Sequence, residues 1–140
     1  MRIIYNKYLP AKGFGLMNIL GLVFSRTQKE TIRDSSIRHE AIHTAQQYEI
    51  LTLSALIALV LSNVYSSWWY LLVVVAMPIA IYILAWIIEL VLPPYNSAYK
   101  DSPFEREAYA NQHNKEYLAT RKLFAWIKYI WWARKKKKDA

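Results

Sequence analysis

Hydrophobic and polar positions are segregated along this chain rather than interspersed. No lysine or arginine lies between Arg38 and Lys100, and the 18 basic residues sit at or outside those two limits. Within the gap, residues 50–65 (ILTLSALIALVLSNVY) and 68–92 (WWYLLVVVAMPIAIYILAWIIELVL) are two long apolar runs. Neither alternates as a half-buried strand does. Both have the composition of bilayer-crossing helices, the first reaching about 18 residues when extended back through Tyr48. Residues 63–69 leave only a tight turn, and Tyr65, Trp68, Trp69 and Tyr70 match the aromatic belt of a headgroup boundary. Pro78 predicts a kink in the second helix. The alternative, a hairpin buried in a soluble domain, is disfavoured because so small a domain could scarcely surround two such helices.

The flanks read differently. Residues 3–25 alternate poorly and hold all three glycines, which predicts short extended pieces and turns at the membrane surface. Lys12-Gly13-Phe14-Gly15 lacks the spacing of a P-loop or a dinucleotide fingerprint. Beyond the second run, Pro103 is placed to open a helix, and the residues after it are expected to remain helical to about 122. Residues 123–140 interleave Trp126, Tyr129, Trp131 and Trp132 with basic side chains, as an amphipathic C-terminal helix would.

The expected fold is mainly α: one membrane-embedded domain over residues 1–140, built on a two-helix transmembrane hairpin. Its parts are an N-terminal surface segment (1–35), a helix running into the first span (36–65), the second span (68–92), a further helix (103–122) and the aromatic, basic tail (123–140).

Charge orients the hairpin. Seven basic residues precede the first span, eleven follow the second, and the turn between carries none. The positive-inside rule therefore places both termini in the cytoplasm and the protein in a bacterial inner membrane as a multi-pass chain. No uninterrupted apolar h-region of a cleavable signal peptide is visible at the start. The net charge of +8 raises nucleic acid as a partner. A lysine run at 135–138 beside tryptophans suits anionic lipid headgroups better, each cation near the surface contributing roughly 1 kcal/mol. With no cysteine in the chain, disulfide scaffolds, thiol catalysis, iron–sulfur centres and thiolate-bound zinc are excluded.

The chemistry is concentrated just before the first span. Asp34, Ser35 and Ser36 are suitable N-caps, and the helix that follows carries His39-Glu40-Ala41-Ile42-His43. Histidines at i and i+4 share one helical face, so both imidazoles can reach one metal ion, and Glu40 beside them can take a proton from water. This is the HExxH pattern of zinc peptidases. Gln46 falls on the same face, available for hydrogen bonds behind the ligands or for substrate. Two histidines do not close a catalytic zinc site, so a third protein ligand is required. The continuation TAQQYEIL lacks the third histidine of the metzincin extension, and a carboxylate from elsewhere is expected. Glu105 and Glu107 lie about 200° apart on a helix, so only one can face the metal. An even number of crossings puts both on the same side as His43. Glu89 is a further carboxylate, about one turn from the cytoplasmic end of the second span, either reaching to water or supporting a site at that face. His113 is set some 80° from Glu105 and is a weak candidate ligand.

On HEAIHTAQQ (residues 39–47) and EREAY (residues 105–109), the chain resembles the gluzincins, HExxH zinc peptidases whose third ligand is a glutamate on a later helix. It also looks like small membrane proteins of Bacteroidetes-type bacteria that combine HExxH, a membrane hairpin and an ExEAY segment. The resemblance to thermolysin-like and prenyl-protease-like members implies Glu105 as the third ligand, with Ala108 as the small residue of an ExxA motif. Tyr109 stands where those families usually have the aspartate that orients the first histidine, which leaves Glu107 as an alternative ligand. The resemblance further implies Zn²⁺ as cofactor, Glu40 as the catalytic acid–base and an oxyanion-stabilising residue, for which Tyr109 and Tyr95 are available. In such enzymes an edge strand beside the active-site helix pairs with substrate, and residues 19–25 are expected to supply it.

The expected function is peptide-bond hydrolysis at the cytoplasmic membrane surface, acting on a peptide or membrane-protein substrate, possible homo-oligomerisation providing additional walls for a cleft. A metal-stabilised membrane scaffold that binds a partner without catalysis is the competing expectation, and a lipid-surface anchor the third.

Overall fold

The computed structural model describes residues 1–10, 15–26, 31–91 and 102–130, the side chains of Trp86, Glu89 and Leu90 excepted. Tyr95, Trp131, Trp132, the lysine run and the side chain of Glu89 lie outside the described residues.

The architecture is mainly helical, with a small sheet set against one helix. Three strands, β1 (Arg2–Tyr5), β2 (Leu16–Ile19) and β3 (Leu22–Ser25), form a sheet in the order β1-β3-β2. β1 runs parallel to β3, and β2 antiparallel to it, with Ile19 opposite Leu22. The link between β2 and β3 is Leu20-Gly21, both at positive φ (49° and 82°), the conformation that matches the twist of a two-residue hairpin. Glycine at 21 also relieves a close approach: a Cβ there would stand 3.2 Å from the Thr44 side chain, which would have to yield by a few tenths of an ångström. β3 is therefore the central strand, hydrogen-bonded on both sides. The expectation that residues 19–25 offer a free edge to substrate fails, because turn-forming Leu20-Gly21 splits the segment; β2 is the edge strand next to the helix.

That helix, α1 (Asp34–Val64), is 31 residues long. It begins one to three residues earlier than an N-cap at Asp34, Ser35 or Ser36 would place it: Arg33 takes the N-cap conformation without a side-chain cap, and Asp34 lies in the first turn, where its charge complements the helix dipole. Its buried positions, Glu40, Ile42, Gln46, Glu49, Ile50, Ser54 and Ala58, follow the three-to-four spacing of one face. The chain leaves α1 through Tyr65 and Ser66, the latter at φ 51°, and Trp68–Leu72 forms a 3₁₀ turn in which Trp68 and Trp69 stack. α2 (Val73–Val91) then returns along α1 with Pro78 inside it. Both helices are long and apolar enough to cross a membrane, and none of the residues Trp68–Ala85 is buried. Among the described residues, none encloses Trp68–Ala85.

α3 (Pro103–Asn111) packs on α1, with Pro103 at its first turn and Ser102 as N-cap, its hydroxyl accepting from the Glu105 N–H at 3.3 Å. The helix expected over 103–122 is broken after Asn111. Asn111, His113 and Asn114 are weak helix formers, and the Asn side chains bond locally: Asn111 Nδ2 donates to Glu107 O and Asn114 Oδ1 accepts from the Glu116 N–H. A single turn, α4 (Tyr117–Thr120), follows. The tail is no amphipathic helix over its described part: Phe124 adopts φ 54°, and Ala125–Lys128 is a 3₁₀ turn. Phe104 is clasped between Tyr82 of α2 and Trp126, ring centroids 4.6 and 4.7 Å away, which joins α2, α3 and the tail.

Candidate metal centre

α1 sets both histidines on one face, and α3 brings a carboxylate against them. His39 Nε2 and His43 Nε2 are 3.1 Å apart. Glu105 closes the triangle, with Oε2 3.2 Å from His39 Nε2 and Oε1 3.4 Å from His43 Nε2. Tetrahedral zinc with ligands at about 2.0–2.2 Å holds neighbouring donor atoms roughly 3.3–3.6 Å apart, and each imidazole Nε2 stands at about that distance from the other and from one of the two Glu105 oxygens, a different oxygen for each ring. Two ring nitrogens cannot both donate to each other, and the buried Glu105 carboxylate faces the same two nitrogens. Convergent acceptors of this kind call for a cation among them. His39, His43 and Glu105 are the group able to hold a metal ion among the described residues.

Electrostatics agree with that arrangement. Burial alone would raise the Glu105 carboxyl, but hydrogen bonding and charge from His39 and His43 outweigh it and lower its pKa to about 2. Burial opposes the charged form of His43, and the Glu105 carboxylate more than compensates, raising it. Glu40, on the same turn, is almost buried; desolvation pushes its carboxyl above the usual range despite the nearby imidazoles. Asn18 of β2 fastens this turn to the sheet, its Nδ2 donating to Glu40 O (2.5 Å) and Thr44 Oγ1 (2.9 Å). Gln47 and Tyr48 hold the hairpin turn, Gln47 Oε1 accepting from the Leu20 N–H at 2.6 Å and Tyr48 Oη donating to Leu20 O at 3.0 Å.

Of the alternatives, Glu107 is not placed with the histidines. It is wholly buried on the other side of α3, accepting from Gln46 Nε2 (3.0 Å), Tyr117 Oη (2.8 Å) and Arg121 Nε (2.6 Å). Gln46 is fully buried and accepts from His43 Nδ1–H at 2.8 Å. Tyr109 lays its ring edge-on to His39, centroids 4.7 Å apart, and is half exposed; burial, then the charges of Glu105 and Glu40, keep its hydroxyl protonated. Among the described residues, His39 Nδ1 is buried without a hydrogen-bond partner. His113 stands outside the group, beside Gln112.

Sequence reasoning missed Asn18, Glu49 and Arg121. Arg121 reaches both Glu49 carboxylate oxygens as well as Glu107, and Glu49 Oε1 also accepts from the Phe124 N–H at 2.9 Å. The available signal was Glu49 itself, an acid at the threshold of an apolar run with no basic residue near it in sequence. Comparison with known proteins finds no matching family model, curated protein or solved structure.

Proposed function

We propose that this chain is an integral-membrane, zinc-dependent peptidase whose site lies at the cytoplasmic face. The observation that carries the reading is the convergence of His39 Nε2, His43 Nε2 and the Glu105 carboxylate, the two nitrogens 3.1 Å apart and each 3.2–3.4 Å from one carboxylate oxygen, with Glu40 and Tyr109 against them. His39, His43 and Glu105 would hold the zinc, which when bound polarises a carbonyl and lowers the pKa of water toward neutrality. Glu40 takes the proton of the attacking water and returns it to the leaving amine; its raised pKa suits both transfers. Tyr109, a neutral hydroxyl at the site rim, donates to the developing oxyanion.

The membrane part of the reading rests on exposed apolar surface. Leu56, Leu59, Val60 and Val64 of α1 and Val75, Ile79, Ile83 and Leu84 of α2 are all more than half exposed, a surface suited to acyl chains and not to water. About 21 residues of helix separate His43 from Val64, a rise of about 32 Å, against a hydrocarbon thickness of about 30 Å. The zinc ligands thus sit at the inner boundary. Substrate bonds are those of a peptide at that boundary, such as the cytoplasmic flank of another membrane segment. Positive charge at both ends supports cytoplasmic termini.

Elemental mass spectrometry on detergent-purified protein tests the site. We expect about one zinc per chain, lost in His39→Ala and Glu105→Ala and retained in Glu40→Gln. On a peptide substrate Glu40→Gln should lose at least about 100-fold in turnover. A wild-type chain purified without chelators that holds no metal would end the reading. Zinc present, with no hydrolysis by the wild type and no consequence of Glu40→Gln, would establish a metal-stabilised scaffold instead.

A further inference from the structure

We propose that Glu107 and Arg121 are positioning residues for the metal site, holding His43 in its metal-binding tautomer through the side-chain amide of Gln46. This rests on the zinc site proposed above and extends it to residues outside the ligand set.

Imidazole has two nitrogens, and a neutral ring can offer Nε2 to a metal only while its proton is on Nδ1. Gln46 Oε1 accepts from that Nδ1–H at 2.8 Å. An amide can flip, and a flipped Gln46 would turn its NH₂ toward Nδ1, forcing the proton to Nε2 and blocking the metal position. The flip is prevented on the other side. Both hydrogens of Gln46 Nε2 have acceptors that cannot donate in return, Phe104 O at 3.0 Å and Glu107 Oε2 at 3.0 Å.

Glu107 is in turn held in one orientation. Arg121 donates from Nε to Oε1 (2.6 Å) and from Nη2 to Oε2 (3.2 Å), and Tyr117 Oη donates to Oε1 (2.8 Å). Arg121 is anchored again on α1 by Glu49. Gln46 and Glu107 are both wholly buried, so water does not compete for these bonds. The carboxylate behind the amide also polarises it, strengthening Oε1 as an acceptor and the His43 ring as a ligand. Residues far apart in sequence therefore act in line: Arg121 orients Glu107, Glu107 orients Gln46, and Gln46 orients His43.

The test measures zinc affinity by chelator competition, and the visible spectrum of the cobalt-loaded protein, for wild type, Gln46→Met, Glu107→Gln and the double variant. We expect Gln46→Met to weaken zinc 10- to 100-fold and to change the cobalt spectrum. Glu107→Gln should weaken zinc by a smaller factor, and that factor should vanish in the Gln46→Met background, since the effect passes through the amide. A structural role alone would not produce that dependence. A zinc Kd within twofold of wild type in Gln46→Met, with an unchanged cobalt spectrum, would overturn the proposal while leaving the zinc site intact. Absence of zinc from the wild type would instead end the underlying reading. Should Gln46→Met not fold, nitrogen-15 NMR of zinc-loaded wild type decides: His43 with its proton on Nδ1 and Nε2 bound supports the relay, and Nδ1 bound to metal overturns it.

Discussion

The two halves of α1 share one buried stripe and hold their neighbours in opposite ways. From residue 40 to 49 the buried positions are Glu40, Ile42, Gln46 and Glu49, and hydrogen bonds at the three polar ones leave the helix for β2, α3 and the tail. From residue 50 to 58 the stripe contains Ile50, Ser54 and Ala58, and Ser54 Oγ donates within the helix to Ile50 O. In the outer half, the one farther from the histidines, the wholly buried Ser54 and Ala58 are small, which permits close approach of a second helix. The inner half is fastened by buried charge. Small residues let two helices slide or rotate at modest cost, whereas an arginine bridging two carboxylates admits few geometries. A ligand set that must be held to a few tenths of an ångström belongs on the second kind of contact.

That contrast can be broken at its strongest point first. Arg121→Ala leaves Glu49 and Glu107 buried without their shared cation, and we expect a loss of about 3–5 kcal/mol in stability, measured by unfolding in detergent. A loss no larger than that of an exposed apolar truncation would show that the inner half is not held by charge. The outer half is tested by Ile79→Lys, which places a cation on the exposed face of α2. Insertion should become less favourable by about 2.5–3.5 kcal/mol, read in a membrane-insertion assay, and unchanged insertion would mean that this face does not meet lipid.

A finer distinction is electrostatic. Glu105 has its folded pKa lowered from 4.5 to about 2, so its contribution is present above pH 4.5 and lost as the pH falls toward 2. The stability difference between metal-free wild type and Glu105→Gln should therefore shrink over that interval. A difference constant from pH 5 to 2 would mean that the carboxylate is not engaged by His39 and His43. At the proposed site, zinc affinity is expected to fall with pH as well, because imidazoles must be neutral to bind a metal.

Much of this molecule is legible locally. The hairpin is written in two apolar runs free of lysine and arginine, the helix start at Pro103 in proline's fixed φ, and the histidine pair in its i, i+4 spacing. Legibility ends where local preference competes with long-range contact. Residues 112–122 have enough helix formers to suggest continuation, yet Asn111 and Asn114 end the helix so that Tyr117 and Arg121 can turn back onto Glu107. Residues 19–25 look extended throughout, but the turn at Leu20-Gly21 is stabilised by Gln47 and Tyr48 of a helix more than twenty residues away.

The sequence by itself determined the two apolar helices, the charge at both ends and the shared face of His39 and His43, because each follows from the periodicity of one helix or the composition of one segment. Only the tertiary structure decided between Glu105 and Glu107. Two residues apart on α3, they point to opposite sides, one to the histidines and one to Arg121. The choice depends on which side of α3 faces α1, and that is set by where Phe104 seats between Tyr82 and Trp126 and by the bridge from Arg121 to Glu49. Those contacts join residues 22 to 72 positions apart, beyond the reach of any local pattern.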